Sequence, residues 1–577
     1  MKFTLIKLFI YGSVFSQLHD NTWLLGYQGS GDNYGITQFN FSEGSLKLSI
    51  DPLYLESFII NNATISSYGG VYFASFNGYW IYDASHKRML NGDSIWYTEV
   101  PYLFGYADES IPQGGMFLPW PNHPDSILLF YCSQGNAEWP TGGDLASLNL
   151  YYALIQKSGN GGLGEVLQRR VSVVDDTIQY GRISVARHAN GRDWWMLINE
   201  RNTNRYYRVL IDPYGMHVLD SQTLGLPVID GLGQAVFSPN GTLYAIKNSV
   251  SASVGNYVDV YSFDRCSGLL SNHRQLYHPG SATGGVAISP NARYLYVSFN
   301  TTVYQYDLYS DDLEASKILV GEYEPDSTFP PARFFTLQLA PDNKIYISAL
   351  NFVKVIHLIH DPDKPGQNCN FQQKGVILSK YNSSALSYSP YYRLGPIDGS
   401  DCDSLGLDNF PKAWYRYEQD TLNPLAVGFT DLSYYEPANW SWDFGDGSTG
   451  SNDRHPEHLF DSTGAYTVCL TVNNVNGSDT HCKTLYLGIS AQDNPVLQNQ
   501  ISLFPNPFNN RLHLVFNTRL YAPRLRLYNW SGVLIREEQI NTGINEIDTG
   551  TWPAGMYFWE VISGNERIRT GKAVKGH

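Results

Sequence analysis

The chain has 577 residues, of which 43% are hydrophobic, 14% aromatic and only 16% charged, and its formal net charge is −15. High aromatic content and low charge density exclude a disordered chain, and the acidic balance argues against nucleic-acid binding. No apolar run reaches the 18 or so residues that a membrane span needs. The length predicts about three domains, and 42 tyrosines and 52 glycines against 6 methionines favour strands and turns.

An export signal is predicted at the start of the chain, over residues 1–16. Lys2 and Lys7 accompany a short apolar stretch, and Val14 and Ser16 supply the small residues of a signal-peptidase site. An N-terminal strand is the alternative interpretation. A cationic and then apolar start is more typical of a signal, so we expect export through the periplasm to the cell surface or the extracellular medium.

The cysteine content agrees with an exported protein that needs few cross-links. Six cysteines in 577 residues are too few for a disulfide scaffold. Cys469 and Cys482 lie on adjacent predicted strands, so a disulfide across that hairpin is expected. The sequence assigns no partner to the remaining four, which are Cys132, Cys266, Cys369 and Cys402.

A repeat with a period near 50 residues fills the long first region. Each copy is a short apolar strand, a Pro-Asn or Pro-Asp turn and a strand rich in tyrosine and β-branched residues. The clear copies are Val236–Ile246, Ala287–Val297 and Leu339–Ile347, whose turn prolines are 51 residues apart. Looser copies are Val71–Tyr82, Met116–Tyr131 and Val185–Ile198. A strand-only period near 50 is typical of propeller blades.

The copies also predict the number of blades. They start near residues 70, 115, 182, 233, 284 and 334. A further inner strand is expected near Leu386–Leu394, and three strands near the N-terminus have no inner strand before them. Together these pieces make a seventh blade, which predicts a seven-bladed β-propeller over residues 17–400 without exposed edges. Six or eight blades remain open, because the turn signals between residues 83 and 182 are irregular.

Signatures of catalysis are scarce in this region. The sequence has no HExxH zinc helix, no GxSxG nucleophile elbow, no GxxxxGK[ST] phosphate loop and no SxDxGxTW aspartate box. We therefore predict no catalytic and no cofactor-binding residues. His357 and His360 would point to opposite faces of a strand and are expected at the strand surface. Of Trp194 and Trp195, at most one should face a cleft.

A second domain is predicted at residues 414–488, after a linker at residues 401–413. The segment Trp442–Ser448 (WDFGDGS) forms a tight turn that leaves an apolar strand, and an alternating strand follows. This pattern resembles the PKD domain, an immunoglobulin-like sandwich. The resemblance implies a spacer or a protein- or glycan-binding module. It makes Asp443 and Asp446 candidate calcium ligands, although capping of the turn N–H groups is the favoured role.

The last domain is predicted at residues 500–577, after a linker at residues 489–499. Four ordered elements occur: a PNP start, an LYNxxG strand, a PAGMYF turn and strand, and a GKxVK end. They resemble the type A C-terminal sorting domain of the type IX secretion system of Bacteroidetes-type bacteria. The resemblance implies passage across the outer membrane and later removal of the domain. The motif residues are Pro505, Asn506, Pro507, Gly555, Tyr557, Lys572 and Lys575.

The recognition strand of this last domain is predicted at its C-terminal end. Lys572 and Lys575 are expected on a strand that the secretion machinery reads by β-augmentation, in which a partner adds a strand to a sheet edge. The alternative is that the domain is simply another adhesive sandwich.

The predicted fold class is therefore all-β, with a seven-bladed β-propeller followed by two small β-sandwich domains. We expect a secreted or cell-surface binding or adhesion protein without catalytic activity. Its expected partners are the type IX secretion machinery and an extracellular protein or glycan, with no nucleic acid, no membrane span and no cofactor beyond the candidate calcium. The acidic charge favours cationic or neutral ligands. The alternatives are an extracellular glycan hydrolase or lyase and a structural component of a surface assembly.

Overall fold

The computed structural model describes residues 18–29, 31–51, 56–93, 95, 111–133, 135–137, 144–229, 231–248, 255–279, 283–325, 330–420, 422–487, 501–504, 508–516, 523–529, 533–540, 543–563 and 566–576. The signal prediction and Pro505, Asn506 and Pro507 fall outside these residues. Apart from a four-residue helix at Gly159–Gly162 and a 3-10 turn at Gly366–Cys369, the regular elements of the described residues are strands. None of the helices described there is long and apolar enough to cross a membrane.

Seven antiparallel sheets follow one another over the described part of residues 22–383, and each is one blade of a β-propeller. Blade 1 contains β1 (Thr22–Tyr27), β2 (Gly35–Asn40) and β3 (Lys47–Asp51), and blade 2 contains β4 (Ala63–Ser66), β5 (Tyr72–Phe76) and β6 (Ile81–Asp83). Blade 3 contains β7 (Gly115–Pro119), β8 (Ser126–Cys132), β11 (Leu150–Gln156) and β12 (Glu165–Val174). A small hairpin of β9 (Gly135–Ala137) and β10 (Asp144–Ala146) is inserted in blade 3.

The other four blades each have four described strands. Blade 4 contains β13 (Ser184–Arg187), β14 (Trp194–Asn199), β15 (Arg205–Asp212) and β16 (Gly215–Thr223), and blade 5 contains β17 (Gln234–Phe237), β18 (Leu243–Lys247), β19 (Asn256–Asp264) and β20 (Leu269–His278). Blade 6 contains β21 (Val286–Ile288), β22 (Tyr294–Phe299), β23 (Thr302–Asp307) and β24 (Ile318–Glu322). Blade 7 contains β25 (Phe334–Leu339), β26 (Ile345–Ala349), β27 (Phe352–Ile359) and β28 (Phe371–Ser383). The predicted fold class is confirmed.

Apolar clusters between consecutive blades close the ring. Buried side chains join each blade to the next, and a further cluster joins blade 7 to blade 1. Trp194 packs between blades 3 and 4, while its neighbour Trp195 packs between blades 4 and 5. Both are buried, so neither faces a cleft. Burying a large side chain of this kind contributes about 1.5–3 kcal/mol.

The chain closes the ring in a way that differs from the prediction. Leu386–Leu394 contains no strand. Leu386 nevertheless packs in the cluster that holds Trp23 of blade 1, and the Tyr388 hydroxyl donates to Thr336 of blade 7. The segment therefore fills the inner position of blade 1 without a backbone ladder. Pro390 has no N–H group to donate to such a ladder, which is one physical reason.

The repeated turns share one hydrogen bond. In four blades an Asn or Asp side chain at the turn accepts the backbone N–H two residues later, an arrangement that fixes the turn locally. The pairs are Asn190 with Arg192, Asn240 with Thr242, Asn291 with Arg293 and Asp342 with Lys344, at 3.0–3.1 Å. The looser copy Val71–Tyr82 is different, because its turn joins the second and third strands of blade 2 rather than the first and second.

The alternating strand directions define two faces of the propeller. First-to-second and third-to-fourth connections lie on one face, here called the turn face, and it carries the Pro-Asn and Pro-Asp turns. Second-to-third connections and the links between blades lie on the opposite face, here called the loop face.

The PKD region forms a β-sandwich of two three-stranded sheets. One sheet contains β29 (Tyr415–Gln419), β30 (Ala426–Asp431) and β32 (Glu457–Leu459), and the other contains β31 (Asn439–Asp443), β33 (Gly464–Asn474) and β34 (Gly477–Leu487). Phe429 and Trp442, one from each sheet, are buried with ring centroids 5.4 Å apart. This pairing supplies the apolar core that the alternating pattern predicted.

The C-terminal region forms a second sandwich. Its sheets contain β35 (Ile501–Phe504), β36 (Arg511–Phe516) and β39 (Gly543–Asp548), and β38 (Leu534–Gln539), β37 (Pro523–Asn529), β40 (Gly555–Ser563) and β41 (Glu566–Lys575). One apolar cluster with Leu514, Leu527 and Trp559 joins the two sheets. The last strand, β41, is at an edge of the four-stranded sheet.

Candidate functional site

The central channel of the propeller is the first place to seek a ligand site. Inner strands and the segment at residues 389–394 surround a cavity of about 60 Å³. A cavity needs about 10–15 Å³ of such volume to hold one water molecule. The cavity therefore has room for a few water molecules.

Two glutamines tie the loop-face end of the channel. Gln113, just before β7, donates to the Ala235 carbonyl and accepts the Ala235 N–H, at 2.9 and 2.8 Å. Gln234 accepts the N–H groups of Val286 and Leu337, each at 3.1 Å, and donates to the Leu337 carbonyl. Each amide thus reaches the inner strand two blades ahead and satisfies backbone groups that would otherwise be buried without partners.

A glycine makes room for the second of these ties. A Cβ atom on Gly285 would lie 1.9 Å from the Gln234 side-chain oxygen, which is far inside van der Waals contact. Glycines precede the inner strands of blades 3, 5 and 6 as Gly114, Gly233 and Gly284–Gly285. This recurrence is the sequence signal from which the channel ties could have been found.

An ion pair holds the turn-face end of the channel. Arg393 donates to both carboxylate oxygens of Asp20, at 2.6 and 2.7 Å, and to the side chain of Asn21 at 2.9 Å. Both charged side chains are more than nine-tenths buried. A bidentate arginine–carboxylate pair of this kind has fixed geometry, so it fastens the C-terminal segment of the ring to its N-terminal segment.

Residues 395–402, which include the start of the linker, lie on the same turn face. Arg265 donates to the carbonyl oxygens of His188 and Gly395, and the Ile397 N–H donates to the Ala189 carbonyl. A disulfide between Cys266 and Cys402 adds a covalent link. Hydrogen bonds and a disulfide therefore hold the start of the linker against the turns of blades 4 and 5.

The other cysteines are placed as follows. Cys469 and Cys482 form a disulfide between β33 and β34, with their Cα atoms 4.1 Å apart. Cys132 and Cys369 are buried thiols outside these two disulfides. Burial raises the pKa of the Cys369 thiol to about 11, which makes it a weak nucleophile.

The channel chemistry does not resemble that of a glycosidase. Such an enzyme needs two carboxyl groups about 5–10 Å apart across the scissile bond. Asp20 is the only carboxylate among the described residues that line the cavity, and both of its oxygens accept hydrogen bonds from Arg393. The arrangement is a structural lock with no second acid facing it across the described lining.

A buried cation lies near the loop-face end. Lys247, the last residue of β18, is fully buried, and its ammonium is 5.0 Å from the centre of the Phe299 ring. Burial, together with the positive charge of Arg182, lowers the pKa of Lys247 to about 7. The protein therefore buries a lysine whose charge varies in the physiological pH range.

His357 in β27 and His360, which follows the strand, have different environments. His357 is fully buried, and burial lowers its pKa to about 4. The expectation of a surface histidine is wrong at this position, because the inward face of β27 packs against Phe334, whose ring centre lies 4.8 Å away. His360 is half-buried and contacts Gln372 and Lys344. The two side chains do not converge on a site.

The candidate calcium ligands of the PKD turn serve as caps. Asp443 accepts the Gly445 N–H, and Asp446 accepts the N–H and hydroxyl of Ser448. The second oxygen of Asp446 lies 2.7 Å from His458 Nε2. Burial opposes ionisation, but the hydrogen bonds from Ser448 and His458 lower the pKa of Asp446 to about 2. The described residues contain no group of three or more candidate metal ligands.

The turn therefore offers a poor match to calcium. Calcium takes six to eight oxygen ligands, whereas here a histidine nitrogen and two turn N–H groups contact the carboxylates. Capping is the role that these hydrogen bonds favour, and calcium binding stays a prediction.

The described sorting-motif residues have separate structural roles. Gly555 begins β40 with a φ of +153°, and the Tyr557 hydroxyl donates to the Pro553 carbonyl at 2.6 Å. Lys575 is buried, and its ammonium donates to the carbonyls of Thr549 and Gly550 at 2.5 and 3.2 Å. Lys572 is exposed opposite Phe558. Both lysines lie on strand β41, and they point to opposite faces because side chains alternate along a strand and the two positions are three residues apart.

Comparison with protein families identifies the two C-terminal regions. Residues 416–489 match the model of the PKD domain, and residues 502–575 match the model of the secretion system C-terminal sorting domain. The chain thus carries a PKD domain and a type IX sorting domain after its propeller. The sorting domain indicates export to the cell surface or the extracellular space.

Solved structures resemble separate parts of the chain. The PKD1 domain of the Vibrio cholerae metalloprotease PrtV is 29% identical and covers 14% of this chain and 98% of its own, with a TM-score of 0.13. The Dos1 propeller is 11% identical over 63% of this chain and 83% of its own, with a TM-score of 0.38. The Pseudomonas aeruginosa periplasmic gluconolactonase PpgL is 12% identical over 77% and 98%, with a TM-score of 0.28. No curated protein matches the chain significantly.

Proposed function

We propose that the chain is a secreted or cell-surface binding or adhesion protein without catalytic activity. The propeller presents the ligand-binding surface, the PKD domain acts as a spacer or a further interaction module, and the C-terminal domain directs secretion by the type IX machinery. The unidentified ligand is an extracellular protein or glycan.

The state of the channel is the observation that carries this proposal. Glutamine ties cross its loop-face end, the Asp20–Arg393 pair holds its turn-face end, and about 60 Å³ is left between them. A polymeric substrate has no room there, and the carboxylate that lines the cavity is already paired. Recognition is therefore assigned to the outer surface of the propeller, where the connections between strands differ from blade to blade.

The experiment is a parallel binding and turnover screen with the full-length protein. Glycans, peptides and calcium are each tested for binding by calorimetry, and every polysaccharide is also incubated and assayed for new reducing ends. We expect saturable binding of at least one glycan or peptide and no increase in reducing ends. Turnover of any polysaccharide contradicts the proposal and favours a glycan hydrolase or lyase.

The export role is proposed for the exposed edge of the sorting sandwich. Strand β41 ends the four-stranded sheet, and Lys572 projects from it into solvent. Phe508 already pairs with the end of the strand through the Val574 carbonyl and the Gly576 N–H, so a partner could add a strand along the part of β41 before Val574. Lys575 supports the same strand from inside by binding two carbonyl groups. We assign recognition to the edge with Lys572 and folding to Lys575.

Cell fractionation tests the export proposal. Deletion of residues 500–577 should trap the protein in the periplasm, and unchanged surface display would refute a sorting role. Lys572→Ala should lower surface display while the protein stays at normal abundance. Lys575→Ala should lower abundance as well, because the substitution leaves two carbonyl groups without their donor.

A further inference from the structure

The closure of the ring gathers aromatic side chains on the loop face. We define the aromatic patch as Tyr27 at the end of β1, Tyr34 in the β1–β2 connection, Phe352 at the start of β27 and Tyr381 near the end of β28. The first two residues are more than 300 positions from the last two in the chain, and the four meet because blade 7 packs against blade 1. None of them lies in the channel or in the repeated turns.

We propose that this aromatic patch binds an acidic polysaccharide by stacking sugar rings on its aromatic side chains. The inference rests on the proposed binding function, which it extends with a location and a ligand class.

The rings form a continuous but non-parallel surface. The centroid of Tyr27 lies 4.9 Å from that of Phe352 and 6.4 Å from that of Tyr34, and Tyr34 lies 5.6 Å from Tyr381. The planes are inclined at 54–70°. Tilted contacts of this kind hold rings in place by edge-to-face attraction, so the patch is ordered before a ligand binds.

The exposure of these rings calls for a ligand rather than for packing. Phe352 is 42% exposed, and the three tyrosines are half-buried. The Tyr34 ring packs over Gly29. A Cβ atom on Gly29 would lie 2.3 Å from this ring, so a residue with a side chain would clash with it. The fold thus accommodates the Tyr34 ring against glycine while it leaves a phenylalanine in water.

Polar groups surround the rings. Lys354 donates to the Asn33 side chain at 2.7 Å and holds its ammonium 5.2 Å from the centre of the Tyr381 ring. Lys380 donates to the Asp32 carbonyl at 2.5 Å. Two ammonium groups, an amide and three phenol hydroxyls therefore surround the patch, and the exposed Asp32 side chain offsets one of the two positive charges.

This combination fits a sugar chain better than other ligands. Each sugar ring has apolar C–H faces that pack on aromatic rings and hydroxyl groups that need hydrogen-bond partners, and the patch offers both. A quaternary ammonium ligand, which also prefers aromatic rings, would meet two lysines. A folded protein partner needs about 800 Å² on each side, far more than four partly buried rings provide.

The local charge selects among sugars. The chain carries −15 overall, yet Lys354 and Lys380 leave the patch with one excess positive charge. Carboxylate groups of a uronic-acid polymer would be attracted to these ammonium groups, and the attraction should weaken as salt increases. The patch is therefore a local exception to the cationic or neutral ligands that the total charge favours.

The test measures binding of the full-length protein to polygalacturonate and alginate, with the neutral glucan laminarin as comparison. Phe352→Ala and Tyr34→Ala should each weaken binding of the acidic polymers about tenfold, as for central aromatic residues of other binding sites. Tyr309→Ala and Tyr214→Ala are the matched controls, because these tyrosines are 66% and 86% exposed on the turn face. The controls should leave binding unchanged.

Two further variants separate stacking from charge. Gly29→Ala removes no ring but displaces Tyr34, so it should weaken binding about as much as Tyr34→Ala. Lys354→Met should weaken binding of the acidic polymers several-fold and leave any laminarin binding unchanged. Circular dichroism confirms that each variant is folded.

The outcomes distinguish the patch from the general function. If acidic polymers bind and the patch variants bind as well as the native chain, the patch inference fails and the binding function stands. If neither acidic polymer binds, or laminarin binds equally well, the ligand class is wrong. If the patch variants lose binding but the native chain also cleaves the polymer, the non-catalytic function fails and the patch stands as a substrate-binding surface.

Discussion

The turn face of the propeller repeats one short hydrogen-bonded turn, whereas the described connections of the loop face differ in length and sequence. On the turn face, four Asn or Asp side chains accept the N–H two residues later, and the linker is held by Arg265 and a disulfide. On the loop face, Asn77 of blade 2 accepts the Tyr79 N–H in the same way, but the other described connections do not repeat this hydrogen bond at one position, and four aromatic rings are partly exposed. Repetition thus accompanies structural roles, and the irregular face is left for recognition.

From this difference between the two faces we expect substitutions to affect the free energy of unfolding and ligand binding unequally. Changes at the turn-face end of the channel should lower the free energy of unfolding by the largest amounts. Changes at the loop-face end should lower it less, and changes in the aromatic patch should alter ligand binding with little effect on stability. The following predictions run from the largest expected effect to the smallest.

Arg393→Ala should be the most damaging change at the turn face. It leaves the Asp20 carboxylate buried without its cation, which typically costs about 3–5 kcal/mol. Urea unfolding of the full-length protein, followed by tryptophan fluorescence, measures the loss. Arg293→Ala breaks the more exposed pair with Asp307 and should cost much less, because solvent screens that pair. Equal losses in the two variants would contradict a locking role for the buried pair.

Removal of the turn-face disulfide should have the next largest effect. Cys266→Ser combined with Cys402→Ser opens a loop of 136 residues and should lower the free energy of unfolding by about 2–4 kcal/mol. The control is Cys469→Ser with Cys482→Ser, which opens a loop of only 13 residues and should cost less in the same urea titration. The reverse order would show that the linker is not an integral part of the turn face.

Gln234→Leu tests the loop-face end of the channel. The variant leaves the N–H groups of Val286 and Leu337 without the side-chain oxygen that accepts them, which should cost about 1–3 kcal/mol. Gln168→Leu, at an exposed position on β12, is the control and should change stability by less than about 0.5 kcal/mol. A loss as large as that of Arg393→Ala would remove the predicted difference between the two ends.

Lys247 should give a pH dependence to the stability. Its folded-state pKa is lowered to about 7, while an unfolded lysine has a pKa near 10.4. Between these values the unfolded chain binds more protons, so stability should rise with pH, by at most about 1.4 kcal/mol per pH unit. Urea midpoints measured from pH 7 to 9 should show this slope, and Lys247→Met should reduce it.

Lys364→Met is the control for this titration, because that lysine is 61% exposed. It should leave the slope as it is in the native chain. A Lys247→Met variant with the native slope would show that the lysine keeps an ordinary pKa in the folded protein.

Much of the fold could be predicted because it depends on local patterns. The repeat with a period of 51 residues is visible because each copy contains the same short turn. The hydrogen bonds of that turn join residues only two positions apart, so the turn depends on local sequence alone. The blade 2 copy was assigned to the wrong pair of strands, since an Asn-Gly turn fits either connection equally well. The segment near Leu386 is predicted as a strand but is not one, because the sequence does not show whether a neighbouring strand can form backbone hydrogen bonds with it.

The candidate sites were less accessible to sequence reasoning. His357 was expected at the surface because a lone strand does not reveal which of its faces is covered. Alternation along a strand places Lys572 and Lys575 on opposite faces, but only the packing of the two sheets shows that Lys575 is the buried one. The Cys266–Cys402 link joins residues 136 positions apart, and four unassigned cysteines give no preference among pairings.

The sequence by itself determined the all-β class, the blade repeat, the PKD turn and the sorting motifs, because each depends on residues close together in the chain. The tertiary structure decided what happens where the ring closes. The Asp20–Arg393 pair joins positions 373 residues apart, and Tyr27 and Phe352 meet across more than 300 residues. Contacts over such separations depend on how seven blades pack around an axis, and no local pattern specifies them.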